Sequence, residues 1–187
     1  GISPLPGSYS GKDVVIGIID TGIDFTHPDL QDSLGNTKVL YLWDQTITSP
    51  SNLPDLFNYG QEWDSTDINN GTCTHDPTDA YGHGTNVAGV AASNGLATGN
   101  YKGAAPEADI IFVASDFNSP NWLTIVADAV EYIFAKADSL GRPCVINISA
   151  GVYAGSHDGQ DLDAQRIDSL LKAKSGRSIV CAAGNSG

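Results

Sequence analysis

Five short stretches of the chain are apolar with almost no interruption: DVVIGIID (residues 13–20), KVLYLWD (38–44), ADIIFVAS (108–115), CVINISA (144–150) and SIVCAAG (178–184). Continuous rather than alternating runs of this length predict strands buried on both faces, as in a parallel sheet covered by helices. Two longer segments carry helical spacing instead. Residues 121–138 place Trp122, Val126, Ala129, Ile133 and Ala137 on one side, with Asn121 as candidate N-cap and Gly141 just past the end. Residues 161–175 gather Leu162, Ile167, Leu170 and Leu171 on one side, and Gly176 closes the segment. A third helix is predicted from His83 onward, where YGHGTNVAGVAA is rich enough in Ala and Gly to pack close to its neighbours. Strands alternating with helices predict an α/β fold, a parallel sheet covered on both faces with right-handed crossovers.

Residues 45–82 break this rhythm. They hold Pro50, Pro54 and Pro77, several Asn and Asp, and the aromatics Phe57, Tyr59 and Trp63. The segment reads as one long loop insertion, and its position just before His83 predicts that it flanks a substrate cleft. No repeat or low-complexity tract occurs.

Composition narrows the function. The 187 residues fit one domain or part of a larger one, and 41% hydrophobic content supplies a core. A net charge of −13 argues against nucleic acid as the partner, since the phosphate backbone would repel it. No apolar run reaches the ~18 residues of a membrane span. The start, GISPLPGSYSGKD, has neither the basic nor the apolar region of a signal peptide. A chain without methionine that starts at Gly1 reads as processed, or as excerpted from a longer precursor. The three cysteines, Cys73, Cys144 and Cys181, are odd in number and far apart, so they form neither a disulfide framework nor a zinc site; Cys144 and Cys181 read as small buried hydrophobes.

The chemistry gathers where an α/β sheet binds ligands, beyond the carboxyl ends of its strands. Asp20 ends the first run, Ser149 lies at the end of the fourth and Asn185 follows the fifth, while His83 opens a helix that starts on that same edge. Asp20 reads equally as a turn-capping carboxylate or as the acid that orients an imidazole. His83 reads as a surface residue or as a general base, and the flanking Gly82 and Gly84 favour the base by leaving room for close approach. The helix dipole disfavours positive charge on such a ring. Taken alone, Asn185 in AAGNSG is a turn asparagine; in company it is a candidate oxyanion donor. CTHDPTD, with Cys73, His75, Asp76 and Asp79, lacks zinc-site spacing and reads as a polar loop, as do His157 and Asp158.

In order along the chain, VVIGIIDTGID with HPDL, GHGTNVAGVAA, GAAPEADIIFVAS, VINISAG and CAAGNSG resemble the subtilisin-like serine proteases, the subtilase superfamily, from about residue 11 to residue 187. The resemblance implies a serine endopeptidase acting on polypeptide outside the cytoplasm. In it Asp20 orients the histidine, His83 is the general base and Asn185 donates to the oxyanion. The backbone of Ser149, Ala150 and Gly151 holds the substrate as an added strand. It requires no cofactor and leaves room for a structural calcium ion, with Asp29 of HPDL where a ligand can occur. Two departures stand out. Asn86 replaces the family's usual second histidine, and no Gly-Thr-Ser, the segment of the family's nucleophile, occurs in the chain. The nucleophile is therefore expected on polypeptide absent here, such as a companion fragment. The sheet is expected to be incomplete on its C-terminal side, and the isolated chain to be inactive. The rival reading is a catalytically inactive subtilase-like scaffold that binds peptides or a partner. An aspartic protease is excluded because only one Asp-Thr-Gly occurs, amid βα alternation; an α/β-hydrolase is excluded because the acid and the histidine precede Ser149.

Overall fold

The computed structural model describes residues 9–77, 82–151, 153 and 156–185. Its centre is a six-stranded sheet in the order β3-β2-β4-β1-β5-β6, with β1 Val15–Asp20, β2 Val39–Asp44, β3 Gln61–Asp64, β4 Asp109–Ala114, β5 Cys144–Ile148 and β6 Arg177–Cys181. All five predicted strands form and pair in parallel; β3 alone runs antiparallel, against β2.

The apolar runs are continuous because successive residues serve opposite faces. Ile19, Ile111, Val113 and Ile146 meet one core, with Val130, Ile133 and Phe134 of α3 (Trp122–Ser139). Ile18, Leu42 and Phe112 meet the other, with Ala88 and Ala92 of α2 (His83–Ala92). The residues that α2 buries fully are small, Gly84, Ala88 and Ala92, so it lies close over β1. Its far end is tied by the buried Lys38, whose ammonium donates to the carbonyls of Ala92 and Pro106. A cation there complements the negative end of the helix dipole.

The periodicity of α3 is met, with Trp122 half-buried and Val126, Ala129, Ile133 and Ala137 buried. Asn121 occupies the N-cap position, but its side chain makes no capping hydrogen bond. In α4 (Leu162–Lys172), Ile167, Leu170 and Leu171 pack against the α3 core while Leu162 is 83% exposed. Leu162 sits in the first turn, ahead of the point where α4 meets α3, so the predicted face is one residue too long.

The segment 45–82 departs most from expectation. It contains β3 and a one-turn helix, α1 (Ser65–Asn69), started by a capping box in which Asp64 and Asp67 each bond the other's backbone amide. Phe57, Tyr59 and Trp63 pack on the core, and none of the three lines the cavity beside His83 described below. Phe57 stacks on Trp43 with ring centroids 4.9 Å apart, Tyr59 packs on the same indole, and Trp63 is buried in the α2-side core. Four residues, QEWD, are too few to display a period, which is why this strand is invisible as a pattern. Residues 78–81 lie outside the described residues.

Coverage of the sheet is uneven. The α2 face is open over β5 and β6, where Val145 is 38% and Val180 53% exposed. Cys144 is buried as expected, but Cys181, at the end of β6 on the open margin, is exposed. Burial pushes the Cys144 thiol up to about 12, leaving it inert at neutral pH. No helix among the described residues is long and apolar enough to cross a membrane.

Candidate active site

Because the strands are parallel and in register, their carboxyl ends form one edge. Asp20 lies level with Ala114 of β4, and Ile19 with Ile148 of β5. The Asp20 carboxylate, 2% exposed, accepts from the Thr21 amide at 2.8 Å through Oδ1. The same oxygen meets Nδ1 of His83 at 2.8 Å. With Nδ1 engaged by the acid, the half-exposed ring, 53% accessible, turns its other side to the cleft.

Two glycines make this approach possible. Gly82, the N-cap of α2, has φ 60° and ψ 16°, a left-handed conformation that costs a β-carbon-bearing residue about 1–2 kcal/mol. At Gly84 a Cβ would lie 2.1 Å from the carbonyl oxygen of Gly22 and 3.0 Å from Cβ of Asp20. The helix therefore abuts the turn that follows β1. Gly84→Ala must move one of two backbones. It is expected to cost about 1–3 kcal/mol of stability, read as a lower urea midpoint, and to lengthen the Asp20–His83 contact. A midpoint equal to that of the unmodified chain would show that the two backbones have slack.

The half-open cavity beneath His83, about 770 Å³, is bordered by Ser149, Ala150, Gly151 and Asn185 as well as by Tyr153 and His157. Thus His83, Asn185 and the 149–151 segment, all singled out from the sequence, border one cleft, and Asp20 stands behind His83, bonded to its ring. The Ser149 hydroxyl accepts from the Asn147 amide at 2.8 Å rather than pairing with His83, which agrees with the rejection of a nucleophile elbow there. Asn185 is exposed.

His157 and Asp158 are exposed loop residues, as the sequence predicts, and of the two loop histidines only His75 is placed against expectation. His157 borders the cleft, in a left-handed conformation with φ 54°. Its neighbour Asp158 is a loop-former, bonded to the Ser156 hydroxyl and the Gln160 amide. His75 is no solvated loop residue: it is buried, and its Nδ1 lies 2.7 Å from Oδ2 of the buried Asp44. The signal for Asp44 was present, since KVLYLWD ends in an acid as DVVIGIID does.

Burial pushes the Asp44 carboxyl up, but hydrogen bonds from His75 and Thr46 outweigh it, and the group lies below the ordinary value of 3.8. A depressed carboxyl stabilises the fold above the unfolded pKa, and that contribution is lost as pH falls through the folded value. Thermal melts are therefore expected to fall steeply below about pH 4. Asp44→Asn should flatten that dependence; an unchanged slope would remove Asp44 from the acid limb.

Asp29 Oδ1 accepts the Ala97 amide at 2.8 Å, which ties the turn after β1 to the loop after α2. Among the described residues no group of three or more His, Cys, Asp or Glu side chains is placed to hold a metal ion.

Comparison with known proteins agrees with this architecture. The profile of the subtilase family matches residues 11–187. The PII-type proteinase of Lacticaseibacillus paracasei is 33% identical over 196 aligned residues, covering 96% of this chain and 10% of that protein. The subtilisin of Bacillus sp. strain TA39 is 27% identical, over 99% of this chain and 37% of that protein. Among solved structures, the Clostridium perfringens CspB protease superposes with a TM-score of 0.80 at 30% identity, over 97% of this chain and 37% of that one. The chain thus spans between a tenth and two fifths of the length of these relatives. With its parallel sheet, its acid and histidine on one edge and this match along nearly its whole length, the chain belongs to the subtilase family of serine proteases.

Proposed function

We propose that this chain carries the acid, the base and the oxyanion donor of a serine endopeptidase. Its nucleophilic serine is supplied by polypeptide outside the chain, either a companion fragment or a further part of the same protein. His83 accepts the serine proton through Nε2 as the hydroxyl attacks the peptide carbonyl, then returns it to the departing amine. Asp20 fixes the ring's tautomer and stabilises the imidazolium between those steps. The Asn185 amide donates to the oxyanion. The backbone of Ser149–Gly151 pairs with the substrate as an added strand, a mode that reads main chain before side chain. No cofactor takes part in these steps. The reading includes action outside the cytoplasm on polypeptide substrates, as the family resemblance implies.

The observation that carries this proposal is the 2.8 Å contact between a buried carboxylate and an imidazole that borders the same cavity as Asn185. A binding scaffold has no need of that pairing. The purified 187-residue chain is expected to hydrolyse nothing, whereas the complete protein is expected to cleave a fluorogenic casein and to be silenced by a serine-directed phosphonofluoridate. Turnover by the chain alone that disappears in His83→Ala would refute the externally supplied nucleophile. A complete protein that neither cleaves nor reacts with the reagent would favour the inactive scaffold.

A further inference from the structure

The proposed mechanism uses one Asp–His pair and leaves a second unexplained. Asp44 ends β2 as Asp20 ends β1, and both are level with Ala114 of β4, the strand between them. Neighbouring strands are about 4.8 Å apart, so the two acids stand about 10 Å apart along one edge. Both belong to the α2 face, since Ile18 and Leu42, two residues before each, lie in that core.

Every bond of the second pair has a direction. Asp44 Oδ1 accepts from the amide and the hydroxyl of Thr46 at 2.9 and 2.6 Å. Its Oδ2 is left for His75 Nδ1 at 2.7 Å. An ionised carboxylate can only accept, so the ring carries its proton on Nδ1. In the neutral ring Nε2 is then an acceptor, and the Ile23 amide donates to it at 3.4 Å, a long bond but a directed one. His75 is 6% exposed and lies between the rings of Phe25 and Trp63.

Packing alone does not call for this arrangement. An apolar side chain would fill the same space without desolvating a carboxylate. What it could not supply is an acceptor for the Ile23 amide. Ile23 lies in the turn directly after Asp20, the turn whose Gly22 carbonyl abuts Gly84. On its other side the same turn is held by α2, where the Asp24 amide donates to Thr85 Oγ1 at 2.8 Å.

We propose that His75, fixed by Asp44, is a positioning residue for the Asp20–His83 pair: its Nε2 holds the Ile23 amide and so sets the turn from which Asp20 reaches His83. The proposal rests on the protease reading for its effect on catalysis, but its structural half can be measured without turnover. Two-bond proton–nitrogen correlation of the histidine side chains in the wild-type chain at neutral pH is expected to find His75 as the Nδ1–H tautomer. An Nε2–H tautomer or an imidazolium at that position would overturn the proposal outright.

In the complete protein, Asp44→Asn keeps the shape but lets the amide donate to Nδ1 and reverse the tautomer. The expected result is a 10–100-fold fall in kcat with KM within about twofold, the scale of a misplaced catalytic group. Hydrogen exchange at the Ile23 amide should quicken in parallel. A wild-type kcat, or an Ile23 amide as protected as before, would count decisively against it. His75→Gln, which retains an acceptor, should recover most of the turnover lost in His75→Leu; equal turnover in those two would do the same, and this comparison decides the matter if Asp44→Asn does not fold. A wild-type protein without turnover would instead sink the protease reading and leave the tautomer and exchange measurements to judge the bracket.

Discussion

His83→Ala is expected to lower kcat of the complete protein by about 10⁶-fold, the scale on which loss of the base from a triad is felt, while KM changes little. Among the described residues that border the cleft, His83 is the imidazole held by an acid. His157 is the other imidazole among them, and no hydrogen bond to an acid is found for it. The sharper form of the prediction is non-additivity. Asp20 acts on the reaction only through the ring it holds at 2.8 Å, so Asp20→Ala should cost about 10⁴-fold in a wild-type background and almost nothing once His83 is gone. Losses that multiply in the double variant would mean that Asp20 acts on the substrate directly. Melting curves serve as the control, because the His83 side chain is half-exposed and its removal leaves no cavity in either core.

Asn185→Ala is expected to lower kcat by 10²–10³-fold, about 2.7–4 kcal/mol of barrier, with substrate affinity nearly unchanged. The amide is useful only when negative charge has formed on the carbonyl oxygen, so the loss belongs to the transition state and not to the ground state. Position supports this. Asn185 follows the end of β6, borders the same cavity as His83 and is exposed, so its side chain has little part in the fold. Wild-type kinetics, or a loss that appears wholly in KM, would remove the oxyanion role.

Elements with many residues and one environment were legible in the sequence. DVVIGIID and ADIIFVAS read as strands because every position is buried on one face or the other, and the 18-residue α3 because its spacing repeats over several turns. What escaped was short or decided by distant partners. QEWD pairs antiparallel with β2 over four residues, and Trp63 is buried only because α1 and the β2 edge meet there. Cys181 sits in an apolar run yet is exposed, since burial depends on which face is covered and not on the run itself. The candidate active site was legible in a different way. Asp20 and His83 are 63 positions apart, and no local pattern joins them; the predicted strand and helix ends brought them to one sheet edge, and the family resemblance then gave each a role. Asp44 and His75 are 31 positions apart and the resemblance assigned neither a role, so an equally well-formed pair read as a strand end and a polar loop.

The two margins of the sheet differ in kind. At one, β3 is four residues long, antiparallel and backed by α1, a poor template for any further strand. At the other, β6 has no further strand beside it among the described residues, and its outer amides and carbonyls form a parallel rim beneath a half-exposed Val180. Strand addition is thus favoured at one margin only, so any self-association of the purified chain should pair β6 with β6, close as a dimer instead of growing, and rise with concentration long before the fold itself gives way.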